Sequence, residues 1–221
     1  MAKLMLSFVA MATFLVATCV SADDSNPIND FCVADLKMDV MFNGIACKSP
    51  KMVTPEDFKF TGFRATADTN NSMGIGIIPG FAAVNYPALN TQGFSLAKIN
   101  YAKNGLVTPH THPRAAEVIT VTKGEIYAGF VCTSGKLWAV TLKVGDFFVF
   151  PKGLVHFHVN VANGSAATLS VMNAQNPGIQ MVANALFGST PPIKSAVLTK
   201  AFTISNETSD WIRRNFPPSP M

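Results

Sequence analysis

The sequence predicts an all-β fold, a jelly-roll β-barrel of short strands followed by short C-terminal α-helices. Three observations carry that expectation. Between residues 94 and 172, apolar stretches of strand length alternate with turn signals at short, regular intervals, a spacing that belongs to sandwiches and barrels. The chain's 4 histidines fall into two His-x-His pairs, His110/His112 and His156/His158. Beyond residue 178 strand alternation stops, and 179–187 and 209–216 read as short helices, the second capped by Thr208 or Ser209 with Asp210 in its first turn.

The chain opens on a targeting segment. Lys3 is followed by an apolar run over 4–20, and Ser21 and Ala22 precede Asp23 and Asp24. Residues 1–22 read as a secretory signal peptide cleaved near Ala22; the run is short for a retained membrane anchor, the competing reading. The mature chain, 23–221, is then an exported single domain with no membrane span. Cleavage removes Cys19 and leaves Cys32, Cys47 and Cys132. In an oxidising compartment Cys32 and Cys47 are natural partners, and closing their short loop stabilises by about 3 kcal/mol in the chain-entropy model. Cys132 ends an apolar strand pattern and is expected as a buried free thiol. Residues 23–50, rich in turn residues, form an N-terminal clasp around that disulfide.

The barrel is expected over about 57–175. Residues 57–89 are rich in Gly, Asn and Ala and read as loops with short edge strands. Strands follow at 94–101, 118–122, 126–132, 137–142, 147–150, 154–161 and 166–172, separated by turns at Lys123-Gly124, Ser134-Gly135, Gly145-Asp146, Pro151-Lys152-Gly153 and Asn163-Gly164. The C-terminal helical segment spans about 178–216. Asn70, Asn163 and Asn206 open Asn-x-Ser/Thr sequons, which an exported chain can carry as glycans. The net charge of +4 is unclustered and gives no case for nucleic acid. Charged residues are 14% of the chain, so much of the surface is expected to meet other subunits or glycans.

Chemistry concentrates in two stretches. His110 and His112 stand two apart, so an extended backbone presents both to one face, where they can grip one metal ion. Glu117 heads the next apolar run and can close on the same ion. In the second stretch, 145–160, Gly145 and Gly153 allow tight turns and Pro151 stiffens the strand entry. His156, His158 and Asn160 then share one face, opposite Phe157, Val159 and Val161. Three inward polar residues would be costly in a dry core, and a metal with its water resolves the cost. Three imidazoles and a carboxylate in a tetrahedron make a closed zinc site. In an octahedron they leave two open positions, which suits manganese or iron.

These stretches resemble the two boxes of the cupin superfamily, and most closely those of germins and germin-like proteins. The first reads His110-x-His112, four residues, Glu117, six residues, Gly124; the second reads Gly145, five residues, Pro151-x-Gly153-x-x-His156-x-x-x-Asn160. Phe31 to Leu36, Pro113-Arg114, Gln175-Asn-Pro-Gly178 and Pro191-Pro192 add to the likeness. The resemblance implies a cupin barrel, with His110, His112, Glu117 and His156 holding manganese. His158, Asn160 and Asn90 are placed around these ligands, His158 equally well as a structural aromatic residue. It further implies a secreted protein of the apoplast or cell wall, a homohexamer built as a trimer of dimers, with roles such as plant defence. Superoxide dismutase activity is the leading expectation. Oxalate oxidase, using dioxygen and producing hydrogen peroxide, is the alternative. It would need amides to hold its substrate; Asn90 and Asn100 are candidates, but 94–98 offers none. A further alternative is a non-catalytic cell-wall, auxin-binding-type or storage cupin, although storage members commonly lack an intact ligand set. Leu186, Phe187, Trp211, Ile212 and Phe216, on helices too short to stand alone, are expected to pack on the barrel or on a second subunit.

Overall fold

The computed structural model describes residues 29–40 and 44–216. The proposed signal peptide, 1–22, lies outside the described residues, as do the first residues of the clasp. Cys32–Met221 forms one compact unit, distinct from Met1–Phe31, and the following concerns that unit.

Among the described residues, ten strands make two antiparallel sheets. The first runs in the order β1 (Ile75–Gly80), β2 (Ser95–Tyr101), β9 (Ala166–Met172), β4 (Glu117–Lys123), β7 (Phe147–Phe150). The second runs β10 (Gln180–Met181), β3 (Leu106–Thr111), β8 (Val155–Asn160), β5 (Glu125–Val131), β6 (Leu137–Lys143). The non-sequential order, with β9 between β2 and β4 and β8 between β3 and β5, gives the wound topology of a jelly roll. Three 3-10 turns precede β1, at Pro50–Met52, Pro55–Phe58 and Gly62–Arg64, and a fourth, Pro87–Leu89, precedes β2. The stretch expected as loops and edge strands thus contains one edge strand, β1.

Strand alternation fills the space between the sheets. Ile99, Val107, Ile119, Val121, Ile126 and Phe150 form the apolar core, each from the inward parity of its strand. β8 alternates strictly, with His156, His158 and Asn160 buried and their odd-numbered neighbours half-buried. On β3 the register against β8 shifts between Val107 and His110. In a regular strand, Val107 facing inward would put His110 outward. The extra residue at Thr108-Pro109 reverses the parity, so that Val107, His110 and His112 are all buried. Pro109, with no N–H to donate, is suited to this irregular stretch.

The clasp is closed on itself by the Cys32–Cys47 disulfide and by the bridge between Ala34 and Cys47, and Ala34 N–H reaches out of it to Pro87 O at 3.0 Å. Cys132 differs from expectation. It falls one residue past β5, in the turn leading to β6, where its N–H donates to Lys136 O at 3.0 Å. The thiol is half-exposed because the strand ends before it.

Beyond β10 come α1 (Val182–Phe187), α2 (Ser195–Phe202) and α3 (Asn206–Asn215). α3 begins earlier than expected. Ser205, not Thr208 or Ser209, caps it by accepting the Thr208 N–H at 3.1 Å, and Glu207 rather than Asp210 is its first-turn acid. α2 carries no strong pattern of its own. Its support is tertiary: Leu198 is buried, the Phe187 and Phe202 rings lie 5.4 Å apart, and Arg213 of α3 reaches both Ile193 O and Ser195 Oγ. Trp211 is 61% exposed, while Leu186, Phe187, Ile212 and Phe216 are half-buried. No helix among the described residues is long and apolar enough to cross a membrane.

Candidate metal centre

Four residues from three strands and one loop converge inside the barrel. His110 lies near the end of β3, His112 just follows that strand, Glu117 opens β4 and His156 lies on β8. Their ligand atoms all lie within 4.8 Å of one another, and all four residues are buried. The His112 and His156 Nε2 atoms stand 3.1 and 3.3 Å from Glu117 Oε2. The His110 ring packs against that of His156 at a centroid distance of 4.1 Å, and Phe150 stacks on His156 at 4.4 Å.

The outer nitrogens settle what the inner ones can do. Nδ1 of His110 meets Thr108 O at 2.8 Å, Nδ1 of His156 meets Leu154 O at 2.8 Å, and Nδ1 of His112 meets Gly178 O. A carbonyl only accepts, so each Nδ1 carries the proton. In the neutral ring Nε2 is then a bare lone pair. Two such lone pairs facing a carboxylate repel unless a cation or a proton stands among them. The donor set therefore fits a divalent metal, with each imidazole oriented by its outer hydrogen bond.

Electrostatics agree. Burial, together with the neighbouring His156 and His158, pushes His110 down to about 3, so it stays neutral and ready to ligate. Burial alone would raise Glu117, but its close contacts with His112 and His156 outweigh it and hold the carboxyl well below its ordinary value. Burial lowers His112 while its bonds to Glu117 and Gly178 raise it, and the net direction is upward. A proton on His112 and a metal ion are thus alternative answers to the same carboxylate charge.

The residues expected around the ligands part company. His158 is fully buried, its ring 5.9 Å from that of His110. Its Nδ1 meets the Tyr101 hydroxyl at 2.6 Å, and Tyr101 Oη lies 3.1 Å from Thr168 Oγ1. Burial, with neighbouring charges, lowers His158 to about 4 and raises the Tyr101 phenol, so both are neutral. Asn160 is buried, but its amide donates to Ala102 O at 2.8 Å and Gly164 O at 2.7 Å while its oxygen accepts from Ala162 N at 2.9 Å, tying two loops together. Asn90 reaches the clasp. Its side chain accepts from Ile45 N at 3.1 Å and donates to Ile45 O at 2.6 Å and Cys32 Sγ at 3.1 Å. The clasp leaves the half-buried backbone groups of Ile45 needing partners, and an amide supplies both donor and acceptor. Asn100 is likewise engaged, accepting from Ala67 N at 3.0 Å. The sequon residues Asn70, Asn163 and Asn206 are all exposed.

Tyr101 and Thr168 were not singled out from the sequence, although the signal was present. Tyr101 shares the parity of Ile99, and Thr168 that of Ser170 and Met172, so both were placed to face inward.

Comparison with known proteins gives the same picture. Residues 62–210 match the family described as Cupin. Germin-like protein subfamily 2 member 3 of Arabidopsis thaliana is 44% identical over 204 residues, covering 92% of this chain and 93% of the relative. Putative germin-like protein 2-3 of Oryza sativa subsp. japonica is 43% identical over 227 residues, covering 98% and 100%. Among solved structures, oxalate oxidase in complex with the substrate analogue glycolate superposes with a TM-score of 0.83 at 35% identity, over 86% of this chain and 96% of that one. With its two antiparallel sheets and its buried three-histidine, one-glutamate centre, the chain belongs to the germin-like proteins of the cupin family.

Proposed function

We propose that this chain is a secreted, manganese-binding germin-like oxidoreductase that dismutes superoxide in the extracellular matrix. The observation that carries the reading is the ligand set itself: three imidazoles with inward lone pairs and one ionised carboxylate, buried together, with the candidate substrate amides of Asn90 and Asn100 engaged elsewhere. A mixed nitrogen and oxygen set suits manganese. When bound, manganese supplies one-electron redox cycling.

The chain's own groups do the rest. Thr108, Gly178 and Leu154 hold the three imidazoles in one tautomer. Glu117 contributes the anionic charge that tunes the ion. Burial of all four keeps bulk water from competing with a small oxygen species. Tyr101 retains its proton and meets His158 Nδ1, and His158 Nε2 has no partner among the described residues. The overall reaction consumes two superoxide ions and two protons and yields one dioxygen and one hydrogen peroxide.

Oxalate oxidation is the second reading, favoured by the likeness to oxalate oxidase. It requires side chains that hold a dicarboxylate, whereas the Asn90 amide and the Asn100 side-chain oxygen are taken by backbone groups. The manganese-loaded protein should remove superoxide faster than the same concentration of free manganese and form no peroxide on adding oxalate. Scavenging no better than free manganese would sink the dismutase reading, and oxalate-dependent peroxide would establish the alternative.

Secretion is supported by the apolar leader over 1–22, the Cys32–Cys47 disulfide and the three exposed sequon asparagines. The proposed homohexamer, a trimer of dimers, is supported by large apolar side chains left at the surface, among them Trp138 at 49%, Phe147 at 71% and Trp211 at 61% exposed.

A further inference from the structure

The three imidazoles are not held alike. His110 and His156 each turn Nδ1 to a carbonyl two residues earlier, Thr108 and Leu154. Those partners are local and come with the strand. His112 instead faces the carbonyl of Gly178, 66 residues further along the chain. Its orientation is only as well defined as the loop that carries Gly178.

Arg114 holds that loop. Its Nε donates to Asn176 O at 2.7 Å and its Nη2 to Asn176 Oδ1 at 2.7 Å, while its backbone N–H donates to Pro177 O at 3.1 Å. Gly178 lies against the guanidinium with φ +65°, and a Cβ there would sit 2.9 Å from Nη2 and 3.1 Å from Cζ. Glycine suits the left-handed backbone here and leaves room for the guanidinium to lie against it. Just beyond, Gln180 and Met181 pair with Thr111 and His110. One short turn, 112–114, thus carries both a ligand and the brace for that ligand's outer partner.

We propose that Arg114 is a positioning residue for the metal centre. It fixes the 176–178 loop so that the Gly178 carbonyl holds His112 with Nε2 turned toward Glu117. The inference rests on reading His110, His112, Glu117 and His156 as the metal-holding set. Lysine is a poor replacement, because one ammonium on a flexible stem does not reproduce a planar fork that reaches both Asn176 acceptors.

The test uses the full-length secreted protein and the variants Arg114→Ala, Arg114→Lys and Asn176→Ala. Two quantities are read: the rate of manganese(II) release into excess chelator, and the imidazole nitrogen-15 shifts of the metal-free protein in mildly alkaline buffer, which show which nitrogen carries the proton. Arg114→Ala should speed release about tenfold to a hundredfold, the usual cost of losing support behind a ligand. It should mix the tautomers of His112 while His110 and His156 keep the proton on Nδ1. Arg114→Lys should fall between, and Asn176→Ala should show the same His112-selective change even where Arg114→Ala does not fold. Unchanged release and an unchanged His112 signal in folded Asn176→Ala and Arg114→Ala would overturn the proposal, as would equal disturbance of all three imidazoles. Should the wild type bind no manganese while the His112 signal still depends on Arg114, the metal reading fails and the brace stands.

Discussion

At the scale of single residues, the centre is defined by which nitrogen each histidine leaves bare. Removing any one imidazole by His110→Ala, His112→Ala or His156→Ala breaks a chelate whose members lie within 4.8 Å of one another. Each variant should lose its metal on dialysis and lose redox activity with it; metal content at the wild-type level in all three would refute the assignment. Glu117→Gln keeps the shape but removes the charge, and should weaken the metal without abolishing binding. The centre should also be acid-labile. Proton and metal compete for the His112 lone pair. Against the lowering effect of burial, the bonds to Glu117 and Gly178 raise His112 above its ordinary 6.5. Protons therefore begin to displace the metal as the pH falls through that raised value, whereas Glu117, held low, keeps its charge to lower pH. Metal affinity measured against pH should decline from near neutrality downward; a flat profile through this range would contradict the coupling. Cys132 gives a separate check. Hydrogen bonding to Ser134 lowers its thiol to about 7 and the side chain is half-exposed. It should alkylate in the folded protein, with the rate rising through pH 7 as the thiolate forms; labelling only after unfolding would show the thiol to be enclosed.

At the scale of elements, the sequence was most informative where alternation was strong. β7 and β9 fall on the expected residues, and β8 turns His156, His158 and Asn160 inward as its period of two requires. The bulge at Thr108-Pro109 was not legible, because a two-residue spacing says that His110 and His112 share a face but not which face Val107 takes. The partners of Asn90 were not legible for a related reason: its neighbours in sequence are barrel residues, while the groups it bonds are in the clasp. α2 and the true start of α3 were missed because their support is tertiary, from Arg213 and the Phe187 and Phe202 rings, and because Asn206-Glu207-Thr208 reads equally well as an exposed sequon. The α3 cap can be tested alone. Ser205→Ala leaves the sequon intact and removes the acceptor for Thr208 N–H, at a cost of about 1 kcal/mol. The melting temperature should drop by about 2–4 °C, and no drop would show that the helix start is held by other contacts.

At the scale of the whole molecule, a low charge content leaves apolar surface that a free monomer would expose to water. Phe147 and Val149 lie on the edge strand β7, Trp138 and Val140 on the edge strand β6, and Trp211 on α3. Covering them in a large apolar contact is the pattern of obligate assemblies. Light scattering on the purified protein should show a hexamer at micromolar concentration, and deleting 209–221 should lower assembly size and thermal stability together. A stable monomer would leave the exposed apolar surface without an explanation. The central claim is that each chain builds one redox metal centre from His110, His112, Glu117 and His156. Elemental analysis of the purified protein, set beside its His156→Ala variant, tests it most directly. The account predicts one manganese per chain in the wild type and none in the variant; zinc in the wild type, or manganese retained in the variant, would contradict it.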